Sequence, residues 1–104
     1  MKRALIPAIM LFLLAPSAWA ATEMGLGGGS CGLWTAARRI RSSADFEQWV
    51  LGYLSGVGAV ALNLDPLNRV DAFGVWAWID NYCQAHPIER VTDAAKAFAN
   101  AHPN

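Results

Sequence analysis

Apolar residues within residues 31–101 recur every three to four positions, which is the period of an α-helix. The longest run begins at Phe46 and keeps its apolar side chains on one helix face for several turns. No segment alternates polar and apolar residues over a useful length, so the sequence predicts an all-α domain of three or four helices. The predicted inward face of the long run consists of Phe46, Trp49, Val50, Tyr53, Val57, Val60, Ala61 and Leu64.

Capping and helix-breaking residues predict where these helices begin and end. Ser42 or Ser43 is suited to be the N-cap of the long helix, and Asp71 the N-cap of the next one. We expect that next helix to stop at His86, because a residue before proline is disfavoured in the α region. Pro87 is then expected to open the last helix, since proline suits the first helical position.

Two shorter helices are predicted at either end of the domain. The first starts at Cys31, and the last follows Pro87. Their apolar stripes are predicted to be Leu33, Ala37 and Ile40 in the first helix, and Ile88, Val91, Ala95 and Phe98 in the last.

Two glycines lie four residues apart in the long predicted helix, at Gly52 and Gly56 on either side of Tyr53. A glycine inside a helix costs about 1 kcal/mol relative to alanine. Their spacing removes the side chains from one side of the helix, so that a neighbouring helix or aromatic ring could approach the backbone. We therefore expect Gly52, Tyr53 and Gly56 to form a helix-packing contact.

The chain divides into three predicted segments. Residues 1–20 have a cationic start, an apolar middle and small residues before a cleavage site, which is the pattern of a secretory signal peptide. The apolar stretch is too short for a membrane span. Residues 21–30 are a glycine-rich leader that we expect to be mobile, and residues 31–104 are the helical domain. A periplasmic or secreted location follows, without membrane association after cleavage.

The two cysteines, Cys31 and Cys83, both lie in the helical domain. In an oxidising compartment they allow a single intramolecular pairing. A bridge across 52 residues would stabilise the fold by about 4 kcal/mol in the chain-entropy model. A free thiol or an intermolecular bridge is the alternative.

Charge and candidate chemistry exclude several functions. After cleavage six Lys and Arg face eight Asp and Glu, so the cluster of Arg38, Arg39 and Arg41 is a poor nucleic-acid footprint. His86 follows Cys83 by three positions, but the other ligands of a metal site are missing. No paired carboxylates or catalytic triad can be placed. The sequence predicts no enzyme, no cofactor and no metal.

The mature chain is rich in tryptophan. Trp49 and Trp76 fall on predicted inward stripes, whereas Trp78 and Phe73 lie on the flanks of their helix. Aromatic side chains on the flank of a small secreted domain are typical of partner surfaces. Phe73 and Trp78 are therefore the candidate partner-binding residues, and for Trp78 packing on the glycine-rich leader is the alternative. Asp80, at the edge of the inward face, is either a buried carboxylate or, as is more common for such a residue, a helix cap or one member of a local pair, for instance with an arginine.

Several short motifs of the chain resemble those of a known group of proteins. They are Cys31-Gly-Leu-Trp34, the stretch from Gly52 to Val57, Asp71 to Gly74, Tyr82-Cys83-x-x-His86-Pro87, and Asp93-Ala94-Ala95. In these motifs the chain is similar to the small periplasmic helical proteins of the HdeA/HdeB acid-stress chaperone type and to the related Tai-type immunity proteins of type VI secretion. The resemblance implies a helical fold with a Cys31–Cys83 bridge, a periplasmic location, dimerisation and no catalysis.

Three functions follow as hypotheses. An acid-stress chaperone would bind unfolded clients when protonated carboxylates loosen an interface, and Asp65, Asp71 and Asp80 are the candidate pH-sensitive residues. An immunity or inhibitor protein would present a rigid surface to one toxin. A structural envelope protein would do neither. We expect non-catalytic protein binding, with a homodimer as a possible state and the chaperone slightly favoured.

Overall fold

A computed structural model describes residues 22–104 of the chain. It contains α1 (Cys31–Arg39), α2 (Ala44–Val60), α3 (Ala72–Ala85) and α4 (Val91–Ala101), preceded by a 3-10 turn over Leu26–Gly28. The all-α prediction is confirmed. The predicted signal peptide lies outside the described residues. Among the helices that are described, none has the length and apolar character needed to cross a membrane.

Helix α4 holds the domain together. It packs against α2, α3 and the 3-10 turn, while α1 packs mainly on α3. Three small residues of α4, Ala94, Ala95 and Ala99, are buried at these contacts. Because alanine ends at Cβ, the neighbouring helices can pack closely on α4. The largest fully buried side chains are Trp34, Phe98, Leu54, Ile79, Val50 and Val75.

The disulfide between Cys31 and Cys83 is confirmed. Cys31 is the first residue of α1, Cys83 lies near the end of α3, and both are completely buried. The loop after α3 adds to this junction, because the amides of Cys31 and Gly32 donate to the carbonyls of Glu89 (2.6 Å) and Pro87 (2.9 Å). These bonds satisfy two donors that the start of a helix leaves without intrahelical partners.

The helix starts agree with the capping signals except in the last helix. Ser43 is the N-cap residue of α2, and Asp71 caps α3 by accepting from the amide of Gly74 at 2.8 Å. Helix α2 ends at Val60, so the predicted run to Leu64 is too long. The exposed Val60 does not join the core, whereas Leu54, which was outside the predicted stripe, does.

The prediction that Pro87 opens the last helix is wrong. Helix α4 begins at Val91, with Arg90 as N-cap and the Asp93 carboxylate accepting from the Arg90 amide at 2.9 Å. The Pro87 and Glu89 carbonyls bond to α1 instead of to a helical turn of their own. Ile88 accordingly lies in a turn and is 92% exposed, not inward.

The predicted apolar stripe of α1 is also wrong. Leu33 and Ile40 are exposed, Ile40 by 75%, and the buried residues of this helix are Cys31 and Trp34. The disulfide at the first position of α1 directs the Cys31 side of the helix toward α3. Leu33 and Ile40 therefore face away from the core, whereas Ala37 is half-buried.

Residues 22–30 of the glycine-rich leader lie against α2 and α4, and the expected mobility of the leader stays a prediction. The Trp49 indole covers the leader and donates to the carbonyl of Met24 at 2.9 Å. Thr92 donates to the carbonyl of Gly27 at 2.7 Å. A Cβ atom at Gly27 would overlap the Trp49 ring, so glycine is required at this close approach. The tryptophan that packs on the leader is Trp49, not Trp78.

The predicted helix-packing contact at Gly52 and Gly56 is absent from the described part of the chain. A Cβ atom added at either glycine would have no neighbour within 4 Å apart from the backbone of its own helix and the adjacent residues. Both glycines are exposed. Tyr53 points to the other side of α2 and stacks on Trp49 with ring centroids 5.4 Å apart. The spacing of the glycines did not indicate which side of α2 the neighbouring elements cover.

Candidate functional site

Helix α3 has two flanks on either side of its buried stripe. Val75, Ile79 and Cys83 form that stripe. We call the side toward α1 the groove flank and the side toward α4 the packed flank. The groove flank consists of Phe73, Trp76, Asp80 and Gln84, and the packed flank of Trp78 and Tyr82.

An ion-pair network joins the groove flank to α1. Arg38 donates from Nε to Oδ1 of Asp80 at 2.9 Å and from Nη2 to Oδ2 at 2.8 Å, which is a two-point contact. Its Nη1 donates to Glu47 of α2 at 3.1 Å. The Trp34 indole, which is fully buried, donates to Oδ1 of Asp80 at 2.7 Å. Asp80 therefore accepts from two α1 side chains at once.

Two aromatic rings lie close to the Arg38 guanidinium. Its central carbon lies 5.8 Å from the ring centroid of Trp34 and 5.9 Å from that of Trp76, within reach of a cation–π interaction. The hydrogen bond to Asp80 is the main reason that the pKa of Arg38 is raised above its usual value. Asp80 is half-buried and does pair with an arginine, but that arginine is 42 residues away, whereas a local pair was expected. Trp76 also meets Phe73 edge to face at 5.3 Å.

An open groove lies between α1 and the groove flank. It has a volume of about 440 Å³. Half of the residues that line the groove are arginines, and the lining residues are Thr35, Arg38, Arg39, Arg41, Asp80 and Gln84. Within residues 22–104, ion pairs are formed by Arg38 and Lys96, whereas Arg39 and Arg41 have no carboxylate within 4 Å. The cations of the groove therefore exceed its anions.

Arg41 lies in this groove because of the way α1 ends. The amide of Ser42 donates to the Ala37 carbonyl at 2.9 Å and the amide of Arg41 donates to the Arg38 carbonyl at 3.2 Å. This is a Schellman motif, in which the residue after the C-cap adopts a left-handed conformation and is usually glycine. Here it is Arg41, with φ 54°.

The packed flank is covered by α4. Trp78 meets Phe98 edge to face at 5.4 Å and His102 at 5.9 Å, and it stacks on Tyr82 at 5.6 Å. Tyr82 in turn stacks on His86 at 4.2 Å. Of the two candidate partner-binding residues, Trp78 packs within the domain, and Phe73 is 75% exposed. A partner-binding role of Phe73 stays a prediction.

The three candidate pH-sensitive carboxylates are not brought together. Asp71 is exposed at the helix cap, and Asp65 is exposed in the loop before α3. Asp80 is the one that links two helices. The same two helices are also joined by the disulfide, so loss of the Asp80 contact alone does not separate them.

Sequence reasoning did not place the arginines and Trp34 in a site. The arginine cluster was visible in the sequence but was considered only as a nucleic-acid footprint. A usable signal was present, since Trp34 and Arg38 are four residues apart and so lie on the same side of a helix. The described residues hold no group of three or more His, Cys, Asp or Glu side chains suited to a metal ion.

Comparison with protein-family models, with curated proteins and with solved structures finds no match to this chain. The resemblance to the HdeA/HdeB and Tai types stays a prediction. The local geometry is therefore the basis for a functional proposal.

Proposed function

We propose that this protein is an exported, non-catalytic protein-binding domain that contacts its partner through the groove flank of α3 and the adjoining face of α1. The observation that carries the proposal is the exposed Phe73 ring beside Trp76, whose own ring contacts the Arg38 guanidinium. Aromatic and arginine side chains supply much of the binding energy in protein interfaces. This face combines both kinds of residue.

The rigidity of the face favours one folded partner over many unfolded clients. The disulfide ties α1 to α3, and the two-point contact between Arg38 and Asp80 holds the same helices at a second place. A surface that is ordered before binding loses little conformational entropy on binding. An inhibitor or immunity role therefore suits this geometry better than the acid-stress chaperone role.

The test is capture of proteins from an extract of the exported fraction by the immobilised, disulfide-bonded protein. We expect one main partner at neutral pH, with capture abolished by Phe73→Ala. Ile88→Ala is the matched control, because Ile88 is an exposed apolar residue in the loop after α3.

Equal capture by the two variants would contradict the proposal. Capture of many proteins only near pH 3, again equal in the two variants, would instead favour the acid-stress chaperone. A mass-spectrometric comparison of the captured proteins distinguishes these results.

A further inference from the structure

The groove between α1 and α3 has cationic groups that the domain itself does not neutralise. Arg38, Arg39 and Arg41 contribute three positive charges, and Asp80 and Glu47 contribute two negative ones, which leaves one positive charge (3 − 2 = 1). The two carboxylates are both used by Arg38. Arg39 and Arg41 are thus the cations available to a ligand.

Arg38 also has donors left over. A guanidinium has five N–H groups. Three of them are used, one at Nε to Asp80, one at Nη1 to Glu47 and one at Nη2 to Asp80. Two N–H groups of a guanidinium that is already held in place therefore remain for an acceptor at the groove.

We propose that this groove binds a carboxylate side chain of an acidic segment in the protein partner. This inference rests on the proposed function, which it sharpens by naming the chemistry of the partner. Arginine guanidinium groups pair with carboxylates through charge-assisted hydrogen bonds. The neighbouring Phe73 and Trp76 rings provide an apolar surface for a residue next to the carboxylate.

The charge of the groove favours a carboxylate over a phosphate group. A single carboxylate neutralises the one excess positive charge, whereas a phosphate monoester brings about 1.5 to 2 negative charges. Asp80 and Glu47 would repel that additional charge. The residues from 21 onward also carry two more acidic than basic side chains, which opposes the binding of a polyanion.

A pair of glycine substitutions isolates the contribution of Arg41. Both Arg41 (φ 54°) and Arg69 (φ 67°) have the left-handed backbone that glycine adopts freely. Arg69 lies in the loop before α3, outside the residues that line the groove. Arg41→Gly and Arg69→Gly each remove one positive charge and are each compatible with the local backbone. They differ in whether the charge belonged to the groove.

The experiment is an NMR titration of the folded protein with a blocked pentapeptide that carries one glutamate among alanines, and with its counterpart in which that glutamate is replaced by glutamine. The indole N–H signal of Trp34 is the reporter, because this group donates to Asp80 at the groove. We expect the glutamate peptide to shift this signal and the glutamine peptide to leave it unchanged. Arg41→Gly is expected to weaken binding about tenfold, the loss of one charge-assisted hydrogen bond, and Arg69→Gly to have no such effect.

Three results would overturn the inference. The first is an equal shift of the Trp34 indole signal with both peptides. The second is equal weakening of glutamate-peptide binding in Arg41→Gly and Arg69→Gly. The third is an affinity for inorganic phosphate, followed at the same signal, that is higher than the affinity for the glutamate peptide. The proposed function fails separately, if capture of the partner is unaffected by Phe73→Ala. Capture that depends on Phe73 but is unchanged in Arg41→Gly would overturn the carboxylate inference alone.

Discussion

The two flanks of α3 differ in what covers them, although both carry a tryptophan. On the packed flank, the half-buried Trp78 contacts the rings of Phe98, His102 and Tyr82. On the groove flank, Trp76 lies between the exposed Phe73 and the Arg38 guanidinium.

Two tryptophans that are two positions apart in the chain thus have different surroundings. Trp78 packs on α4, whereas Trp76 contacts Arg38, one of the residues that line the cationic groove. The neighbouring helix, and not the type of side chain, therefore decides whether an aromatic residue stabilises the fold or remains available to a partner.

The largest effect is expected from the disulfide, which lies between the two flanks. Replacing Cys31 and Cys83 together by alanine should lower the free energy of unfolding by about 4 kcal/mol, because the bridge closes a loop with a sequence separation of 52. Urea denaturation measures this value. The helices that line the groove lose their covalent link, whereas the packed flank keeps its aromatic contacts. Hydrogen exchange is therefore expected to increase most in α1.

The wild-type protein with reductant is the control for the double variant. Reduction should lower its stability by the same amount and leave the alanine variant unchanged. Coincident unfolding curves for the oxidised wild type and the double variant would show that the bridge does not stabilise the fold.

The next effect compares the aromatic residues of the two flanks directly. Trp78→Ala should cost about 2–3 kcal/mol, because it leaves a cavity against Phe98 and His102. Phe73→Ala should cost less than about 0.5 kcal/mol, since the Phe73 ring is mostly exposed. Both values come from urea denaturation. An equal loss of unfolding free energy in the two variants would contradict the division of α3 into a packed flank and a groove flank.

The smallest effect is the pH dependence of the packed flank. The pKa of Tyr82 is raised to about 12, first by its hydrogen bond to Glu89 and then by burial and the nearby carboxylates. The neutral phenol is thus favoured in the folded state, so its stabilising contribution is complete below about pH 10, the pKa of an unfolded tyrosine. The contribution is lost as the pH rises toward 12. Tyr82→Phe should lack this loss.

The measurement is the free energy of unfolding between pH 9 and 12 for wild type and Tyr82→Phe. Burial also raises the pKa of Tyr53, so part of the alkaline loss is expected to persist in Tyr82→Phe. Tyr53→Phe is the matched control and should retain the part of the alkaline loss of stability that is due to Tyr82. Parallel curves for wild type and Tyr82→Phe would remove Tyr82 as a source of the alkaline loss.

Prediction succeeded where the deciding interaction is short in sequence. The Asp71 cap bonds an amide three residues away, and the end of α3 follows from the steric effect of Pro87 on its neighbour. Prediction failed at the start of α4, because the carbonyls of Pro87 and Glu89 bond to α1, a contact far away in sequence.

The candidate site shows the same division. Exposure of Phe73 agrees with its place on the flank of its helix, whereas the arginine that pairs with Asp80 is 42 residues away and only a local pair was expected. The groove itself was not predicted, since it needs α1 beside α3. Nothing local in the sequence indicates that Arg41 and Gln84 line one cavity.

Periodicity is a local property of the chain, so the helical domain could be predicted, and two cysteines allow one internal bridge, which the structure forms between Cys31 and Cys83. The side of each helix that is covered could not be predicted in this way. Contacts in the folded domain leave Ile40 exposed, place Trp78 against Phe98 and leave Gly52 without a neighbouring segment. A helix has the same period whatever its rotation about its own axis, and that rotation is set by contacts with distant segments.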